Sequence, residues 1–179
     1  NGEYMTKASG CAACHASGDD LTLLSGGMKM DTFIGTFYVP NITAHPNGVA
    51  GWSNADYLNA VINGLGKDGR HLYPVMPYTA YAGLKPEDVL DIKAYIDSLP
   101  QSDNKVAAHE LSFPYNLSAT ISFWKRGNFT TPAWQPDDGS QMSRGRYLVE
   151  NAGACGECHT PRTLDFGLDN ARKFEGEKG

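Results

Sequence analysis

The sequence predicts a fold made of helices and irregular loops. Two segments show the apolar spacing of helices, and a third lacks the apolar–polar alternation of strands. Apolar residues recur at helical spacing near residues 53–65 and again near 86–99. Residues 21–50 contain several glycines and the steps Val39-Pro40-Asn41 and His45-Pro46-Asn47-Gly48, without the sustained alternation typical of strands. We therefore expect 21–50 to form loops that wrap around another group.

The helix predicted near 53–65 has a clear beginning and end. Ser53 is a good N-cap residue, and Asp56 follows it at the third position. Gly64 and Gly66 end the apolar run. The residues at helical spacing are Ala55, Tyr57, Leu58, Val61, Ile62 and Leu65.

The helix predicted near 86–99 is better defined. Pro86 suits the first turn, and Glu87 and Asp88 favour the positive end of a helix dipole. An apolar stripe then runs to Pro100, where the helix must stop. The stripe consists of Val89, Ile92, Ile96 and Leu99.

Composition narrows the function classes. The chain has 179 residues, which allows one or two small domains, and a net charge of -5 with 15 scattered Lys and Arg. A nucleic-acid partner is therefore not expected. No stretch reaches the roughly 18 apolar residues that cross a bilayer, and the mean hydropathy is -0.40. Any membrane attachment is expected to come from a missing segment or a partner.

All four cysteines fall into two copies of one pattern. The copies are Cys11-Ala12-Ala13-Cys14-His15 and Cys155-Gly156-Glu157-Cys158-His159. C-x-x-C-H is typical of covalent c-type haem attachment, in which the thiols bond the haem and the histidine binds its iron. Residues three apart lie on one face of a helical turn, so both sulfurs can reach one edge of the ring. Two covalently attached haem c groups are predicted.

Other uses of C-x-x-C fit less well. Zinc ribbons place their pairs about 15 to 20 residues apart, whereas Cys14 and Cys155 are 141 positions apart. A thioredoxin-like pair would need a βαβ context, and two disulfides would leave both adjacent histidines unexplained. Because thioether formation needs reduced cysteines in an exported protein, we expect a periplasmic location.

The surroundings of the two motifs also repeat. Gly2-Glu3-Tyr4-Met5 precedes the first and Gly145-Arg146-Tyr147-Leu148 precedes the second, offset by one residue. Two similar domains are therefore predicted: a first domain at 1–100, a connector at 101–142 and the start of a second domain at 143–179. Prolines and aromatic residues suggest a connector packed against the first domain. They are Phe113, Pro114, Tyr115, Phe123, Trp124, Phe129, Pro132, Trp134 and Pro136.

Met76 is the predicted second ligand of the first iron. It lies 61 residues after His15, within Tyr73-Pro74-Val75-Met76-Pro77-Tyr78, and the flanking prolines should hold it in an extended segment. Core packing is the ordinary alternative for a methionine. Met28 and Met30 could substitute for it. We expect His45, His71 and His109 to lie at the surface or near haem propionates.

The sequence resembles a known family. The motifs that carry the resemblance are Asn41-Ile42-Thr43, Gly51-Trp52-Ser53, the segments 64–72 and 73–78, Arg144-Gly145-Arg146-Tyr147 and Cys158-His159-Thr160-Pro161-Arg162. They are similar to the multihaem cytochrome c subunit of bacterial membrane-associated alcohol, aldehyde and gluconate dehydrogenases, and the similarity covers nearly the whole chain.

This resemblance implies all-α class I cytochrome c domains with His/Met-ligated haem. The residues it assigns to the haems are Cys11, Cys14, His15, Met76, Cys155, Cys158 and His159. Trp52, Arg70 and Tyr78 would surround the first haem, with polar tips near its propionates. Electrons would arrive from a dehydrogenase catalytic subunit and leave toward quinone or a terminal oxidase, at the outer face of the inner membrane.

The second motif departs from the family pattern. Only 20 residues follow His159, without Met, His or Cys, and Lys173 and Lys178 are the conceivable nitrogen ligands. A truncated second domain is the preferred hypothesis, while Met142, a first-domain residue or a partner chain are the alternatives for the missing ligand.

Outer-sphere electron transfer is the predicted function, because His and Met together leave no iron position for substrate. The alternative is a dihaem enzyme, peroxidase-like or oxidising sulfur compounds, with one open haem.

Overall fold

The computed structural model, which describes residues 1–130 and 138–176, consists of helices, irregular loops and one small sheet. The α-helices are α1 (Gly2–Ala8), α2 (Cys11–His15), α3 (Asn54–Asn63), α4 (Tyr78–Tyr81), α5 (Pro86–Asp97), α6 (Ser118–Asn128), α7 (Gln141–Tyr147) and α8 (Cys155–His159). A π-helical turn, Leu148–Ala152, continues α7, and a 3-10 turn spans Asn170–Arg172. Pro132, Trp134, Pro136 and Lys178 lie outside the described residues.

Both helices predicted by apolar spacing are confirmed. At the start of α3, Ser53 and Asp56 form the reciprocal capping box, and Gly64 ends the helix in the left-handed conformation at φ 57. Helix α5 begins with Pro86 at its first position. Helix α3 begins one residue later and ends two residues earlier than the predicted 53–65, and α5 ends two residues before the predicted 99.

The structure contains a three-stranded antiparallel sheet, with two strands in the region 21–50 predicted as loops and the third in the predicted connector, so the all-α description is not confirmed. Strands β1 (Lys29–Thr32) and β2 (Gly35–Tyr38) form a tight hairpin, and β3 (Glu110–Leu111) pairs with β2. Strands of two to four residues are too short to show alternation. Gly35 permits the third pairing, because an added Cβ would lie 2.2 Å from the Glu110 carbonyl oxygen.

The core is centred on the crossing of α1 and α5. Met5 and Val89 are fully buried there, and Ile92 and Ile96 are nearly so. The helices approach closely at Gly2, where an added Cβ would lie 2.1 Å from the Asp91 carbonyl oxygen. This crossing fixes the end of α1, and therefore the turn that carries the first C-x-x-C-H.

The segment 101–130 contains a helix that its sequence does not predict. In α6, Ile121 and Lys125 are buried, and the Lys125 ammonium donates hydrogen bonds to the Asn63 and Gly64 carbonyls at the end of α3. The Trp124 indole donates to the Asp165 carbonyl at 2.8 Å. By contrast, Phe113 and Phe123 are 79% and 77% exposed.

Over 1–130 and 138–176, none of the helices combines the length and the apolar character needed to span a bilayer.

Candidate haem-binding site

The two C-x-x-C-H motifs fold into the same turn. Gly10 (φ 64) and Ala154 (φ 48) each precede the first cysteine in the left-handed conformation, and their carbonyls accept hydrogen bonds from Ala13 and Glu157 at 2.9 Å. One short helix, α2 or α8, then carries both cysteines and the histidine. All four cysteines are free thiols. Each motif can therefore present two sulfurs on one side of a helical turn.

The residue before each motif offers a stability test. A side chain in the left-handed region costs roughly 1–2 kcal/mol, so we expect Ala154→Gly to raise the free energy of unfolding by about 1 kcal/mol. Gly10→Ala is the converse variant, since an added Cβ there meets nothing within 4 Å, and it should lower stability by a similar amount. Urea unfolding measures both, and opposite signs are required.

The imidazole of His15 is held in the orientation and tautomer that suit a metal ligand. Its Nδ1 lies 2.8 Å from the carbonyl oxygen of Pro40. Because a carbonyl only accepts hydrogen bonds, Nδ1 carries the proton and Nε2 keeps a free lone pair. Burial lowers the pKa of His15, which favours the neutral, ligating form. Burial also raises the pKa of the Cys11 thiol to about 11.

His159 lies in a more open setting. Its side chain and that of Cys158 are exposed, and its carbonyl accepts a hydrogen bond from Gly176 at 2.8 Å. No hydrogen-bond partner for its ring is found among residues 1–130 and 138–176. The second motif thus has the same turn as the first, without the same support for its imidazole.

Met76 lies in a turn, and the expectation of an extended segment is wrong. The Met76 amide donates to the Tyr73 carbonyl at 3.3 Å, which closes a turn over Pro74 and Val75. Proline is favoured at the second position of such turns. Helix α4 follows directly, and the Tyr81 hydroxyl donates to the Ser9 carbonyl at 2.6 Å. The Met76 segment is therefore fastened beside the first motif.

The other candidate methionines lie elsewhere. Met28 is 38% exposed and lines a shallow depression of about 630 Å³ beside Ala12, Ala13 and Ala16 on the first motif. Met30 is half-buried in β1.

The three residues predicted around the first haem have different environments. Trp52 is half-buried against the core. Arg70 is mostly exposed, and its Nε donates to Asp68 at 2.5 Å. Tyr78 is completely buried, with Lys125 over its ring at 5.0 Å and Phe129 edge-on at 5.4 Å. Sequence reasoning missed Lys125, because no local pattern marks a lysine that reaches the end of a distant helix.

The histidines outside the motifs also differ. The Nδ1 atoms of His45 and His109 accept hydrogen bonds from the Asn47 and Tyr38 amides, each at 3.2 Å. His71 Nδ1 is buried without a partner in the described part of the chain.

The side chains present fit a covalently attached porphyrin. The first motif offers two free thiols and an imidazole with an available Nε2. Three buried polar atoms, Ser9 Oγ, His71 Nδ1 and Tyr78 Oη, have no hydrogen-bond partner in the described chain, and buried polar atoms ordinarily have one. A grouping of three or more His, Cys, Asp or Glu side chains able to hold a metal ion is not found within the described ranges.

Comparison with known proteins agrees with this chemistry. A family model described as cytochrome c matches residues 1–100. The chain is 45% identical over 170 residues to a diheme cytochrome c-type protein of Cereibacter sphaeroides, an alignment that covers 90% of this chain and 56% of that protein.

Two further relatives are named subunits of dehydrogenases. The chain is 36% identical to the fructose dehydrogenase cytochrome subunit of Gluconobacter japonicus, over 91% of this chain and 35% of that protein. It is 37% identical to the gluconate 2-dehydrogenase cytochrome c subunit of Pantoea cypripedii, over 91% of this chain and 38% of that protein. The chain therefore spans between about one third and just over half of the length of these relatives.

Proposed function

The chain belongs to the cytochrome c family, and from this membership we propose that it is an electron-transfer subunit of a dehydrogenase with two covalently bound haem c groups. In this proposal Cys11 and Cys14 hold the first haem, and Cys155 and Cys158 hold the second. A bound haem supplies a one-electron couple between ferric and ferrous iron.

The observation that carries the proposal is the hydrogen bond from His15 Nδ1 to the Pro40 carbonyl. It leaves Nε2 as the nitrogen available to iron, and it keeps the ring from rotating when the charge of the site changes. The carbonyl of Pro40 is positioned by the preceding residue, Val39, which accepts a hydrogen bond from the Gly27 amide at 2.8 Å and donates one to the Met28 carbonyl at 3.0 Å. His159 would ligate the second iron.

Met76 is proposed as the second ligand of the first iron. The turn over Pro74 and Val75 projects this half-buried thioether from a segment that Tyr81 ties to Ser9, immediately before the first motif. Together with His15, the Met76 thioether would hold the iron and would favour its ferrous state. Trp52, Arg70 and Tyr78 are proposed to contact the first haem or its propionates, with the Tyr78 hydroxyl as the buried donor that still lacks an acceptor.

The proposed organisation keeps three parts: a first cytochrome domain at 1–100, a connector at 101–142 and the beginning of a second cytochrome domain at 143–179. The proposed electron donor is a dehydrogenase catalytic subunit, which two of the relatives' names support. Quinone or a terminal oxidase is the proposed acceptor. The periplasm, at the outer face of the inner membrane, is the proposed location, because cysteines of this pattern must reach an export compartment in reduced form.

Optical and electron-spin spectra of the haem-loaded chain test this function. Electron transfer predicts a ferric first haem that is low-spin, shows the methionine-to-iron absorption band and ignores added peroxide. A high-spin first haem that binds peroxide and turns it over would instead identify an enzyme.

A further inference from the structure

Glu157, the residue between the two cysteines of the second motif that directly precedes Cys158, contacts the segment that bears Met76. We propose that Glu157 is a positioning residue for the first haem, because its carboxylate holds Thr79 and thereby the Met76 turn. This inference rests on the proposed function, since it requires both haem sites and ligation by Met76.

The contact itself is specific. The Thr79 hydroxyl donates to Glu157 Oε1, across 78 positions of sequence. The other carboxylate oxygen, Oε2, accepts a hydrogen bond from Arg162 Nη2 at 2.9 Å, and the same Nη2 donates to the Glu157 carbonyl at 2.8 Å. The Glu157 side chain is only 12% exposed. Both carboxylate oxygens therefore accept hydrogen bonds, and Arg162 holds the carboxylate in the orientation in which it accepts from Thr79.

The hydrogen bond lies in a tightly packed seam, where α4 and the loop after it contact the π-helical turn and α8. An added Cβ at Gly83 would lie 2.0 Å from Asn151 Oδ1, so the loop after α4 packs tightly on the π-helical turn. The Lys85 amide donates to the Tyr147 hydroxyl at 3.0 Å, and that hydroxyl donates to Asp88 Oδ2 at 2.5 Å. A hydrogen bond inside such a seam is worth more than an exposed pair.

Helix α4 is consequently attached to both motifs. The hydroxyl of Tyr81, at its last position, donates a hydrogen bond to the Ser9 carbonyl ahead of the first motif. The hydroxyl of Thr79 donates one to the Glu157 carboxylate within the second. Only Pro77 and Tyr78 separate Thr79 from Met76, and the Tyr78 amide donates to the Met76 carbonyl at 2.7 Å. Moving Met76 away from an iron would therefore strain or break the hydrogen bond to Glu157.

The test is a titration of the haem-loaded chain with imidazole, which displaces Met76 from the first iron. The displacement is measured as loss of the methionine-to-iron absorption band. Loss of a hydrogen bond to a charged group should raise the apparent imidazole affinity about tenfold in Thr79→Val and in Glu157→Ala. The double variant should show no more than either single change, because both remove one hydrogen bond. Thr79→Ser and Glu157→Gln keep a donor and an acceptor, and should stay within about threefold of the unsubstituted chain.

Glu150→Ala is the matched control. Glu150 lies in the adjacent π-helical turn and pairs with Lys173 at 3.0 Å, at the surface, so its removal should leave imidazole affinity unchanged. If Glu157→Ala does not fold, Thr79→Val decides the question, because valine has nearly the same shape as threonine. An imidazole affinity that is unchanged in Thr79→Val, or that rises as much in Glu150→Ala as in Glu157→Ala, would overturn this inference and leave the proposed function standing. Absence of the band in the unsubstituted chain would overturn the proposed His/Met function instead.

Discussion

Met76→Ala is expected to abolish the methionine-to-iron band of the first haem and to lower its reduction potential. The thioether stabilises ferrous iron, so the potential should fall by on the order of 0.1 V, within the roughly 0.8 V that axial ligands span. The iron of the first haem in Met76→Ala should also bind imidazole or cyanide at least about a hundredfold more tightly than in the unsubstituted chain. Redox titration and ligand titration measure the two effects.

Met28→Ala is the matched control for this prediction. Met28 lies beside the first motif and is the sequence alternative to Met76, but it is exposed on the side of α2 that Ala12 and Ala13 form. Its removal should leave the absorption band and the potential in place. A band that survives Met76→Ala and disappears in Met28→Ala would transfer the ligand role to Met28.

Gly2→Ala is expected to destabilise the first domain by about 1–3 kcal/mol, the usual cost of overfilling a tight contact. The added methyl group would lie 2.1 Å from the Asp91 carbonyl oxygen and 2.9 Å from Tyr95 Cβ. Neither backbone can withdraw without separating α1 from α5, which share the core. Urea unfolding of the haem-loaded chain measures the change.

Gly145→Ala is the internal control, because Gly145 occupies the same place in the second repeat. An added Cβ there meets nothing within 4 Å, and the residue borders an open depression of about 510 Å³. Alanine within α7 should therefore stabilise the chain by roughly 0.5–1 kcal/mol through helix propensity. Equal losses from both substitutions would show that the crossing at Gly2 is not the cause.

Local signals explain which parts of the fold could be predicted. The capping box at Ser53 and the first-turn proline Pro86 act within one helical turn, so their helices follow from sequence. The sheet does not, because β2 pairs with β3 through a close approach at Gly35 that joins residues about 75 positions apart. Helix α6 was missed because Lys125, a charged residue, occupies one of its buried positions.

In the candidate site, too, the local features could be predicted from the sequence and the contacts between distant residues could not. Each C-x-x-C-H is a five-residue pattern, and the structure gives both copies the same turn after Gly10 and Ala154. The supports of the site are remote in sequence. His15 meets the Pro40 carbonyl, 25 positions away, and Thr79 meets Glu157, 78 positions away. Spacing alone cannot indicate such contacts, because they depend on how α4 and the second motif pack.

The number of haems bonded to the chain is the most direct test of the proposed chemistry. Intact-mass spectrometry, with haem content measured on the same material, should find two thioether-linked haems per chain. Replacing Cys155 and Cys158 by alanine should leave one, and replacing Cys11 and Cys14 as well should leave none. Bound zinc, disulfides between the cysteines, or a chain exported and folded without attached haem would contradict it.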